Sequence, residues 1–156
     1  MAAIPGQSTD LNDIVDLTIA LALRVTDAQR QEELVLKSQI EALGRVASFL
    51  REHLNEWPPH LSEAVCEVLQ TLPNSSDRSL ILVEFIQSGA FYQHQANKHT
   101  LPFVKDLYRI VLGRDAEEDA IRHWSAQLNA GKISKKQLLG TVISSEEFRN
   151  SLKFIA

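Results

Sequence analysis

Phe103-Val104-Lys105-Asp106-Leu107-Tyr108-Arg109-Ile110-Val111-Leu112-Gly113-Arg114-Asp115 is the run that decides how this chain folds. Val104, Leu107, Tyr108 and Val111 recur at i, i+3, i+4 and i+7, so a helix over this run carries one apolar stripe. Thr100 is expected to cap its start, with Pro102 in the first turn, where a missing N–H costs nothing. Gly113 stops it by taking a left-handed conformation that a Cβ would penalise.

Outward from that helix toward the C-terminus, Asp115 is predicted to open the next one, with Glu118 three residues on as its capping-box partner. Ile121, Trp124 and Leu128 share a face there, and Asn129-Ala130-Gly131 ends it. Ser134 caps a short helix carrying Leu138, Leu139, Val142 and Ile143. Ser144 or Ser145 caps a last one with Phe148, Leu152 and Ile155.

These residues carry a resemblance. The run 103–115, Trp124 nine residues beyond it, Gly131, Ser134 and Ser144-Ser145-Glu146-Glu147-Phe148 together resemble the bacterial family called domain of unknown function forty-two-fourteen. Its pattern is an aromatic-led helix ending in Leu-Tyr, three residues, Leu-Gly-Arg, then a Trp, a small residue with Ser, and a closing Ser-x-Glu-Phe. The segment is also distantly similar to the helical linker domain of phycobilisomes. The likeness spans about residues 100–150, and Ala116 stands where a Pro is common. Members occur mostly as parts of larger bacterial proteins, including surface-exposed repeat proteins and glycosyltransferase-linked chains. The resemblance thus implies an accessory or association module, and it brings no catalytic residues with it.

Toward the N-terminus, residues 1–9, with Pro5 and Gly6, read as a mobile leader. From Ser8, Thr9 or Asp10 a helix carries Leu11, Ile14, Val15, Thr18, Leu21 and Val25. Thr26-Asp27-Ala28-Gln29 resembles a fresh capping box and predicts a break or kink. Beyond it Leu36, Ile40, Leu43, Ala47, Leu50, Leu54 and Trp57 alternate steps of four and three, a heptad seam of about three repeats. The seam reads either as a face packed on its own domain or as a self-associating coiled coil. The functional expectation takes the second reading, because the helix is long and little chain is left to cover it. Gly44 lies inside this helix. Pro58-Pro59 ends it, another helix runs from His60 to Leu72, and Asn74-Ser75-Ser76 marks an internal boundary with Ser76 as the next cap. The segment 78–92, with its apolar helix, Ser and aromatic residue, weakly echoes 135–149; any capped amphipathic helix would look alike.

The 156 residues suffice for one core, and 44% apolar with 23% charged side chains is ordinary for a globular chain. Five basic and eleven acidic side chains in residues 1–75, against eleven and nine in 76–156, leave no clustered positive surface for nucleic acid. Lys132, Lys135 and Lys136 read as a solvated loop and helix start. A single cysteine, Cys66, fits a reducing compartment and sits in an apolar helix as an inert thiol. With no basic leader followed by an apolar run and no membrane-length span, the expected location is the cytoplasm, as a piece of a longer chain would also read.

Reactive constellations are not evident. His94 and His99 are five apart and fall on different helix faces, so surface or loop positions are expected. Asp115, Glu117 and Asp119 alternate like calcium ligands but lack the Gly and final Glu of such a loop. The expected architecture is therefore all-α: an N-terminal long helix or hairpin with coiled-coil character over 10–75, and a compact C-terminal bundle over 76–156. The expected function is non-enzymatic association, without cofactor or metal. A homodimer or other homo-oligomer would form through the seam, alongside a protein partner or parent polypeptide. The alternative is a small-ligand or glycan site on Tyr108, Arg109, Arg114, Arg122 and Trp124.

Overall fold

The computed structural model describes residues 7–34, 37–73 and 75–152, and these are all-helical, as expected. The expected leader is shorter than residues 1–9: α1 runs from Gln7 to Arg30, and residues 1–6 lie outside the described part. It does not break at Thr26. Ala22, Val25 and Thr26 are all buried, and that packing holds the helical path through a sequence that would cap a new helix on its own. Against α1 lie α2 (Lys37–His53) and α3 (Pro59–Thr71). Pro58 is the N-cap of α3 and Pro59 its first residue, the position where a proline's fixed φ suits a helix start.

The heptad seam is corrected by the packing. Leu36 lies outside the described residues, α2 ends at His53, and Trp57 sits beyond it in the connection to α3. Leu43, Ala47, Leu50 and Trp57 are buried within this one chain, and Ile40 and Leu54 are partly buried against the same core. Their cover comes from α1 on one side and from α4 (Ser76–Gln87) on the other. Trp57 packs its ring 5.6 Å from that of Phe85 on α4. Arg51 of α2 also reaches Glu84 of α4, Nε to Oε2 at 2.5 Å. The four-three spacing thus records an internal helix face. An a/d stripe and a core-facing stripe look the same over three repeats, and only the covering helices separate them.

Ser75, not Ser76, caps α4, its Oγ accepting from the Arg78 N–H at 3.2 Å. Gly89, at φ 79°, separates α4 from α5 (Ala90–Gln95). The deciding run begins as α6 (Thr100–Asp106), with His99 as N-cap and Thr100 already helical. From Leu107 to Leu112 the helix widens into a π-turn, and Gly113 at φ 72° stops it. The expected stripe of Val104, Leu107, Tyr108 and Val111 is buried throughout.

Asp115 does not cap α7, which runs Glu118–Asn129 with Glu117 as N-cap and no side-chain bond at its start. The wider π-turn delays the chain's exit, so residues 115–117 form an extended approach instead. Gly131 at φ 72° follows α7. Then α8 (Lys135–Ile143) starts in a complete capping box of Ser134 and Gln137, and α9 (Glu146–Ser151) is capped by Ser145. Ile155 lies outside the described residues. One apolar cluster runs from Val15 through Leu50, Phe85 and Phe103 to Phe148, so packing continues across the sequence boundary at 75.

Candidate association surface

The residues expected to form a ligand site do come together in part. The Trp124 Nε1–H donates to the Tyr108 hydroxyl at 3.1 Å, and the Arg114 guanidinium lies over the Tyr108 ring, 5.2 Å from its centroid. Arg114 then forks onto Glu147, at 2.5 Å through Nε and 2.9 Å through Nη2. A hydrogen-bonded guanidinium holds the Glu147 carboxyl below its usual range, and the carboxylate raises Arg114 in return. The cluster ties the π-turn to α7 and α9. Arg109 turns away and donates to the Gln70 carbonyl on α3 at 3.1 Å, and Arg122 pairs with Asp119 on its own helix. The donors of Trp124, Arg114 and Arg109 are therefore engaged with neighbouring elements, while Arg122 stays exposed and paired within α7.

A second basic residue escaped sequence reasoning. Arg78 is only 4% exposed, and its guanidinium is met by backbone carbonyls. Its Nε and Nη2 donate to the Leu69 carbonyl at 3.1 and 2.8 Å, and Nη2 also reaches the Ile110 carbonyl at 2.8 Å. Leu69 lies in the last turn of α3 and Ile110 in the π-turn, so one cation serves the partially negative ends of two helices. Burial pushes its pKa down to about 10, and Arg109 nearby adds to the fall. Lys135 acts similarly at the end of α5, donating to the carbonyls of Ala96 and Lys98 instead of standing in solvent as expected.

A cleft of about 540 Å³ is lined by Glu56, Trp57, Pro58, Ser62, His94 and Asn97 among others. His94, expected at a surface or loop position, is half-buried in α5 with its Nδ1 3.5 Å from the Cys66 sulfur. Burial pushes the thiol up to about 12 and the imidazole down, so both are held neutral near pH 7. That is the opposite of the thiolate–imidazolium pair that nucleophilic cysteine chemistry uses.

Apolar side chains facing outward gather elsewhere, on the N-terminal helices. Leu17 is 70% exposed and Leu23 44% on α1, and Phe49 is 38% exposed on α2. Ile14 of α1 and Arg45, Val46 and Phe49 of α2 line an open groove of about 300 Å³. None of these belongs to the expected seam. The signal was present in the sequence, since Leu17 and Leu23 are extra leucines on a helix whose buried face is already supplied by Val15, Thr18, Ala22 and Val25.

Among the described residues no helix is long and apolar enough to cross a membrane. Residues 82–152 match the family model described as "Domain of unknown function (DUF4214)". The match begins within α4, well before the Thr100 start expected from the motif, because α4 and α5 carry helix and packing but no distinctive string of residues. No curated protein and no solved structure matches the chain, so the likeness to phycobilisome linkers rests on the motif alone.

Proposed function

With residues 82–152 a DUF4214-family domain, we propose that the chain is a non-enzymatic helical association module that self-associates through its N-terminal helices. The observation that supports this reading is where the exposed apolar surface lies. Of six large hydrophobic side chains exposed among the described residues, four precede residue 50: Leu17, Leu23, Leu34 and Phe49. Exposed apolar side chains concentrated on the N-terminal part of the chain are what an unfilled protein interface there would present. The seam residues are not part of this reading, since Leu43, Ala47, Leu50 and Trp57 are buried within the chain and Ile40 and Leu54 partly so. The glycan alternative loses support because Tyr108, Arg114 and Trp124 spend their polar groups on one another and on Glu147. An accessory place in a larger bacterial surface or glycan-handling system fits the settings that the family resemblance implies.

Hydrogen exchange at low and high protein concentration tests the proposal. Peptides covering 11–24 and 45–53 should gain protection as concentration rises, while those covering 118–129 should not change. Exchange independent of concentration throughout the chain would overturn it.

A further inference from the structure

The outer face of α1 has a pattern that fits a second copy of itself. Asp13, Leu17, Ala20 and Arg24 are all exposed, and at 3.6 residues per turn they fall within about 60° of one another. Their spacing is four, three, four, the step of a helix-pairing stripe. The set is also symmetric: an acid and a base stand at equal distance on either side of two small-to-medium apolar residues. Among the described residues neither Asp13 nor Arg24 forms an ion pair within the chain.

Resting on the association reading above, we infer that two copies pair α1 against α1 in antiparallel fashion, about a two-fold axis passing between Thr18 and Ile19. That operation sets Asp13 of each copy opposite Arg24 of the other, and Leu17 opposite Ala20. A two-fold contact must be self-complementary, with each pair occurring twice, and this stripe meets that condition. The parallel arrangement fails it, because Asp13 would face Asp13 and Arg24 would face Arg24. Ala20 leaves room for the Leu17 side chain across the axis, so the helices can approach closely. A separate open groove, lined by Ile14 of α1 and Val46 and Phe49 of α2, offers further apolar surface on these helices. A contact of this size is smaller than a standard interface, so the dimer is concentration-dependent rather than obligate.

Charge exchange tests the geometry. Asp13→Arg and Arg24→Asp, made singly in the full chain, should each weaken dimerisation about tenfold or more by placing like charges across the axis. The double variant, which restores opposite charges in reversed order, should dimerise within about threefold of the unaltered chain. The two single variants mixed together should form a heterodimer, since each then offers what the other lacks. Leu17→Glu, on an exposed site where folding is not at stake, should give a monomer. If the chain dimerises and all four variants dimerise equally, the pairing geometry is wrong while self-association stands. A chain that stays monomeric at every concentration overturns both.

Discussion

Arg78 brings a charge into the core and meets it with carbonyls alone, which makes it the residue whose loss should be felt most. Arg78→Met strips donors from the Leu69 and Ile110 carbonyls and should cost roughly 3 kcal/mol, read as a fall in the urea midpoint. Arg78→Lys should rescue little, because one ammonium cannot reproduce the fork that spans both helix ends. Glu147 sets a pH dependence. Its carboxyl is held below the usual value of 4.5 in the folded chain, so the folded state gains from the charged form. That gain is complete above the unfolded value and is lost as pH falls through the folded one. The stability gap between the parent chain and Glu147→Gln should therefore be present at pH 7 and shrink as the pH falls below 4.5. Cys66, with its thiol pushed up to about 12, should react with an aromatic disulfide about a thousandfold more slowly in the native chain than in urea at pH 8.

Helix by helix, the elements divide by whether a local rule or a neighbour sets them. Gly113, Gly131 and the cap at Ser134 were legible because each is a local backbone requirement met by one residue. The π-turn at Leu107–Leu112 was not, since the apolar stripe of an α-helix survives a single widened turn. The uninterrupted α1 was also hidden: Thr26 looks like a cap until α3 buries it. Two glycines show the same division. Gly113→Ala should cost about 1 kcal/mol, because φ is 72° there and a Cβ is penalised. Gly44→Ala should instead stabilise α2 by roughly 0.5–1 kcal/mol. The added Cβ would lie 3.3 Å from Leu80 Cδ2, the end of a partly exposed side chain that can move. Thermal denaturation of the two variants should shift in opposite directions.

Across the whole molecule, the apolar cluster shared by α1 through α9 makes the sequence boundary at Asn74-Ser75-Ser76 a turn inside one cooperative unit. Fluorescence of a Trp124→Phe variant, reporting Trp57, should melt at the same midpoint as its far-UV circular dichroism. Under the proposed association the contact lies on the N-terminal helices, on exposed residues outside the heptad spacing. Spacing alone shows that Leu43, Ala47 and Leu50 want burial, not what buries them. Only with α4 in place does the remaining apolar surface stand out, as Leu17, Leu23 and Phe49 on the opposite faces. The direct measurement is sedimentation equilibrium of the full chain over a hundredfold range of concentration. The account predicts a mass rising from 17.5 kDa toward twice that value, and a flat 17.5 kDa throughout would contradict it.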